Sequence, residues 1–128
     1  MLAITSKSPY AVSALVELAR VGGSAPVPIG EIAKRRNIPV QFLEGLFATL
    51  RRAGILQSQR GVRGGYTFAR PPEEITVLEV VELLDGPLGA DAKGIFREAA
   101  DAARTVLSGT TIREMADREQ TAAPMYYI

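Results

Sequence analysis

The sequence predicts a mainly α fold with a small β-hairpin, and three observations predict it. Apolar residues recur at helical spacing over the first fifty-odd positions. The period turns strand-like around a glycine-rich stretch at residues 55–69. Helical spacing then returns behind two full start signals. The first helix is expected to open at Ser8-Pro9, with Ser8 as N-cap and Pro9 in the first turn. Tyr10, Ala11, Ala14, Leu15, Leu18 and Ala19 share one face, and Gly22-Gly23 ends the run. After a loop over residues 24–28, residues 29–36 read as a short helix turned inward by Ile29, Ile32 and Ala33. Asn37 tolerates the left-handed conformation that ends a helix, and Pro39 opens the next. That third helix covers residues 40–53, with Phe42, Leu43, Leu46, Phe47 and Leu50 as its apolar stripe and Gly54 behind it. Residues 55–60 and 66–69 are candidate strands, joined through Gly61-Val62-Arg63-Gly64-Gly65. Thr76-Val77-Leu78-Glu79 is a capping box, with Ile75 and Val80 at the staple positions. This helix runs to about Asp85, where Gly86-Pro87 stops it. Residues 92–107 form a long helix, and Thr111-Ile112-Arg113-Glu114, a second capping box, opens a short last helix to about Glu119.

Helix, helix, tight turn, helix and glycine-rich hairpin is the order of a winged helix-turn-helix. Residues 1–87 are therefore expected to form a winged helix-turn-helix DNA-binding domain. Residues 88–128 supply a long C-terminal dimerisation helix, a short final helix and a tail. The second and third helices must cross steeply: Ala33 permits close approach, Asn37 takes the turn and Ile38 plugs the angle. The third helix must bury one face and offer the other to a major groove. Its outward positions are Gln41, Glu44, Gly45, Ala48, Thr49, Arg51 and Arg52. The hairpin tip, with Arg60 and Arg63 among glycines, combines positive charge with little bulk, as reaching a phosphate backbone or minor groove demands.

Charge and composition agree with that assignment and exclude others. Residues 1–70 carry ten basic and three acidic groups, and residues 71–128 carry five and eleven, so a net charge of +1 hides a basic half joined to an acidic one. There is no Cys and no His. That removes disulfides, thiolate zinc sites, Cys nucleophiles, Ser-His-Asp chemistry and imidazole switches. It equally removes any iron–sulfur cluster held by cysteines of this chain, so no cofactor is expected. Glu73-Glu74 and Glu79 with Glu82 form no catalytic constellation, and Glu79 is explained by its cap, so no enzymatic activity is expected. No apolar run approaches the ~18–20 residues of a membrane span. The start, Met1-Leu-Ala-Ile-Thr-Ser-Lys, lacks a secretory h-region. The expected location is the cytoplasm, on the nucleoid when bound to DNA.

Residues 5–87 also carry several motifs in fixed order. These are Thr5-Ser6-Lys7 before Tyr10-Ala11, Glu31-Ile32-Ala33, Ile38-Pro39, Phe42-Leu43-Glu44, and Leu50-Arg51-Arg52-Ala53-Gly54. Arg60-Gly61, Gly64-Gly65-Tyr66, the run from Ala69 to Thr76, and Gly86-Pro87-Leu88 follow. Together they make this stretch resemble the IscR/NsrR/CymR family of bacterial winged-helix transcription regulators. The long helix followed by Thr-Thr-Ile-Arg-Glu also resembles that family's dimerisation region. The resemblance implies a homodimer that sets two recognition helices in successive major grooves of a palindromic operator. It gives Glu44 a base edge, accepting from a cytosine amine, and makes Gln41 its neighbour on an adenine or a phosphate. It places Arg60 in or beside the minor groove with Gly64, Gly65 and Tyr66 in the wing, and puts Ser6 and Lys7 on the DNA backbone. Two departures stand out. The segment from Leu88 to Gly94, where many members carry cluster-ligating or redox-sensing cysteines, has none, and Asp91 is its one candidate ligand. Gly45 falls in the middle of the recognition helix, where glycine costs about 1 kcal/mol against alanine.

In the long helix, Ile95, Phe96, Ala99, Ala103, Val106 and Leu107 form an apolar face. The DNA-binding unit already has its own core, so this face is expected to pair with a second subunit, helped by Met115 or by Tyr126 and Tyr127. The leading function is a homodimeric, sequence-specific DNA-binding regulator, a repressor. The alternative is a winged-helix module that binds another protein and not DNA. With no thiol or imidazole to sense with, the chain is left with a small-molecule effector, a regulatory protein or no signal.

Overall fold

The computed structural model describes residues 4–126, with side chains as far as Gln120. Helix α1 spans Lys7–Val21, α2 Ile29–Arg36 and α3 Val40–Arg52; strands β1, Leu56–Gln59, and β2, Gly65–Phe68, follow. After a 3-10 turn at Pro72–Glu74 come α4, Val77–Asp85, α5, Ile95–Ser108, and α6, Ile112–Tyr126. The hairpin is antiparallel with Leu56 opposite Phe68 and Gln59 opposite Gly65. The order is the winged helix-turn-helix expected from the sequence.

Three helix boundaries differ from the sequence expectation by more than one residue. Helix α1 starts at Lys7, with Ser6 as its N-cap residue, and Ser8 is not a cap. The Ser8 hydroxyl is buried and donates to the Asp85 carboxylate at 2.5 Å, a charge-assisted bond stronger than a neutral cap. Pro9 is tolerated because first-turn N–H groups have no helical partner. Helix α5 begins at Ile95 rather than residue 92, because Gly94 takes a positive φ of 59° with ψ −133°, outside helical geometry. Helix α6 does not stop near Glu119 but reaches Tyr126: Gln120, Thr121, Ala122 and Ala123 contain no breaker, and the helix runs on through Pro124.

One core fills the space between these elements. Leu15 and Val16 of α1, Ile32 of α2, Leu43, Phe47 and Leu50 of α3, Ile55, Leu56, Ile75 and Val80 are all buried in it. Burying each side chain of this size is worth about 1.5–3 kcal/mol. Ile112 and Ala116 of α6 belong to the same cluster, with Leu107 and Met115 packed against it. Backbone bonds close the joint: Val77 N–H donates to the Thr110 carbonyl at 2.8 Å and Ile112 N–H to that of Ile75 at 2.9 Å. The final helix thus adds Ile112 and Ala116 to the core of the first 87 residues, across the division expected at residue 87. Both capping boxes form on the hydroxyl side, Thr76 accepting from Glu79 N–H and Thr111 from Glu114 N–H, each at 3.1 Å. Their carboxylates turn outward instead, Glu79 to Arg70 and Glu114 to Arg118.

Candidate nucleic-acid interface

The turn between α2 and α3 takes the geometry its residues dictate. Asn37 sits at φ 55°, ψ 49°, and the Ile38 N–H returns to the Ala33 carbonyl at 2.9 Å while the Ile38 side chain is buried. Helix α3 is held by its inner face, with Phe47 edge-on to Tyr66 at 5.0 Å and Phe42 edge-on to Tyr10 at 5.5 Å. That leaves Gln41, Glu44, Gly45, Arg51 and Arg52 exposed, and Ala48 and Thr49 half-buried. A Cβ at Gly45 would meet nothing within 4 Å, so no internal contact requires the glycine.

The wing is more constrained than a free hairpin. Besides pairing with β1, Tyr66 exchanges both backbone bonds with Val27, at 3.0 and 2.9 Å. Strand β2 thus lies between β1 and a segment that the sequence suggests only as a loop. Two glycines assigned to DNA contact have structural reasons of their own. A Cβ on Gly65, at φ 154°, would lie 2.4 Å from the Val27 carbonyl, and one on Gly64 would lie 2.2 Å from that of Gln59. The Tyr66 ring likewise packs on Phe47. The tip itself, closed by Gly64 N–H to the Gly61 carbonyl at 2.9 Å, leaves Arg60, Val62 and Arg63 exposed. Nothing in the sequence marks Val62 as the fully exposed apolar residue it is.

The arginines fall into two groups. Arg35 and Arg36 meet the buried Glu17 at 3.1 and 3.0 Å; Arg35 also pairs with Glu31, and Arg36 takes both oxygens of Glu119 at 2.9 Å. Arg20, Arg70, Arg97, Arg104, Arg113 and Arg118 each have a carboxylate partner as well. Among the described residues, Arg51, Arg52, Arg60 and Arg63 have none, although Arg52 reaches the Thr49 hydroxyl at 3.3 Å. Their charge is available to an outside anion. Arg35 and Arg36, which end α2 as Arg51 and Arg52 end α3, are committed internally.

Ser6 and Lys7 are exposed, and Lys7 lines the same groove as Gln41, Gly45 and Thr49. The flanking hydroxyls are fixed: Thr5 donates to one Asp85 oxygen at 2.6 Å and Ser8 to the other. Burial alone would push the Asp85 carboxyl up, but the Ser8 and Thr5 hydroxyls and the nearby Lys7 charge hold it below its ordinary value. This cluster joins positions 77 and 80 residues apart, so no local pattern announces it.

Helix α5 is tied to α4 by the Arg104–Glu82 pair, and its buried Ala100 sits so close to the preceding loop that a Cβ on Gly89 would lie 2.3 Å from the Ala100 Cβ. Its other face is bare, with Ile95 68% exposed, Phe96 65% and Val106 66%, and Ala99 beside them. Ala103 is half-buried. Leu107 and Met115, expected on a subunit interface, are half-buried and pack against the chain's own core. The contribution expected of Tyr126 and Tyr127 falls outside the described residues and side chains. Among the described residues no helix is long and apolar enough to cross a membrane.

The model of the Rrf2 family, described as an iron-dependent transcriptional regulator, matches residues 4–118. The chain is similar to the HTH-type transcriptional regulator CymR of Bacillus subtilis, 34% identical over 137 residues that cover 98% of this chain and 99% of that one. It is also similar to the HTH-type transcriptional regulator IscR of Aliivibrio salmonicida, 36% identical over 115 residues, covering 90% and 68%. Among solved structures, CymR, the global cysteine regulator of B. subtilis, matches with TM-score 0.83 at 31% identity over 92% of this chain and 98% of that one. T. potens IscR matches with TM-score 0.83 at 33% identity over 94% and 90%. Iron held by thiolate or imidazole does not fit these residues. The chain has neither Cys nor His, and among the described residues no three carboxylates gather as a metal site.

Proposed function

Since the chain belongs to the Rrf2 family of transcriptional regulators, we propose that it is a homodimeric repressor reading a palindromic operator. The observation that carries this reading is the sorting of the arginines: those without a carboxylate partner among the described residues end α3 or flank the wing tip. A cation kept unpaired at a protein surface gains most from a polyanion that releases counterions on binding. Helix α3 lies in the major groove, where Glu44 accepts from a cytosine amine and Gln41 reads its neighbour. Arg51, Arg52, Ser6 and Lys7 hold phosphates, and Arg60 and Arg63 enter the minor groove at the wing, positioned by Gly64, Gly65 and Tyr66. Two copies joined through the bare face of α5 set two such heads about one helical turn apart. Occupying an operator in this way excludes polymerase from it. The protein acts in the cytoplasm, on the nucleoid, and uses no metal or cluster.

The test is a binding titration against a duplex recovered by selection from random sequence, repeated across salt concentrations. Replacing Arg60 or Arg63 by Ala should lower the salt slope by about one each. Arg118→Ala, which removes a paired arginine, should leave it unchanged. If the chain binds no duplex in a salt-dependent, sequence-preferring way, or if the wing variants keep full function, a protein-binding module is the correct reading.

A further inference from the structure

The last turn of α4 holds two acids that point to different parts of the molecule. Glu82 accepts from the Leu88 backbone N–H at 3.1 Å and pairs with Arg104 of α5. One turn on, Asp85 spends both oxygens on the N-terminal segment, Thr5 donating at 2.6 Å and Ser8 at 2.5 Å. Ser8 is 1% exposed, so water cannot replace Asp85 as its acceptor. Thr5 in turn accepts from the Lys7 backbone N–H at 3.2 Å. Lys7, itself exposed, is therefore fixed on both flanks by one carboxylate, and that carboxylate shares a helical turn with the anchor of α5.

We propose that Asp85 is a positioning residue for DNA binding: its clamp on Thr5 and Ser8 sets the phosphate contact of Lys7 and ties that contact to the placement of α5. This rests on the DNA-binding reading above. Charge and position make opposite predictions here. An acid beside a phosphate contact repels the DNA, so on charge alone its removal tightens binding. On position its removal loosens binding, because the backbone that carries Lys7 is no longer held.

The experiment uses the full chain and the selected duplex, titrated by fluorescence anisotropy over a salt series, with circular dichroism to confirm folding. Asp85→Ala should weaken binding about tenfold and lower the salt slope by about one, as Lys7→Ala does. Adding Lys7→Ala to Asp85→Ala should change nothing further, whereas Arg60→Ala and Asp85→Ala should multiply. Asp85→Asn, which keeps an acceptor and loses the charge, should fall between wild type and Asp85→Ala. If the Asp85 and Lys7 effects multiply, or if both Asp85 variants bind more tightly, the clamp is overturned. Should Asp85→Ala fail to fold, Thr5→Val, which removes one arm, enters the same cycle with the same two outcomes. A wild-type chain without salt-dependent binding would overturn the DNA-binding reading and this inference together. Wild-type binding with multiplying effects would overturn the clamp alone.

Discussion

Gly45 sits on the outer face of α3 with open space where a side chain would project. Glycine in a helix interior costs about 0.5–1 kcal/mol against alanine, so Gly45→Ala should raise the thermal midpoint. It should also weaken operator binding, because the added methyl keeps DNA from the backbone. A variant both more stable and equally tight would mark the glycine as merely tolerated. Glu17 makes a second prediction. Burial pushes its carboxyl up, but hydrogen bonds from Arg35 and Arg36, with the charges of Arg36 and Arg20, outweigh burial and hold it below its ordinary 4.5. A carboxyl lowered by folding stabilises the fold above its unfolded value, and that stability is lost as pH falls through the folded value. The unfolding free energy, measured in denaturant, should hold near neutrality and decline below about pH 4.5. Glu17→Gln should lower it by about 1–2 kcal/mol at pH 7, a figure discounted because Arg20 and Arg35 are nearly half exposed, and should flatten the acid decline. The same residues mark a limit of legibility. Arg35-Arg36 and Arg51-Arg52 both end helices, and nothing local separates them. Glu17 and Glu119 do, and they come from α1 and α6.

Among the elements, α5 most needs a partner. Its bare face repeats at helical spacing through Ile95, Phe96, Ala99 and Val106, a pattern legible in the sequence. The inward turn of Leu107 was not legible, since it depends on where α6 packs. Burying Phe96 twice in a two-fold pair contributes about 3 kcal/mol or more, so Phe96→Glu should raise the dimer dissociation constant at least about a hundredfold. Sedimentation equilibrium would read this, and an unchanged association state would remove α5 from the interface. The element starts were the most legible features of the chain, because caps, glycines and prolines act within a few residues. Their errors, at Ser8 and near residue 92, occurred where a distant carboxylate claimed a hydroxyl or a glycine took a non-helical turn.

At the scale of the whole molecule, α6 returns across the fold and closes the core against α1. A fragment ending at residue 87 loses Ile112 and Ala116 and the backbone joint at Thr110 and Ile75. It should show no cooperative thermal transition by circular dichroism, whereas the full chain should unfold in one step. A cooperative fragment would restore two independent domains. The two capping boxes were each readable, but the bridge that sets Thr76 against Thr111 was not, since it joins segments 35 residues apart. The lacing of β2 between β1 and Val27 reaches furthest. A finger fastened along one side leans freely to follow a groove of varying width; one pinned on its other side as well, at Tyr66, leans less. The burden of adjustment then passes to the nucleic acid, and operators with pliant pyrimidine–purine steps beneath the tip should outcompete stiff ones having identical contacted bases.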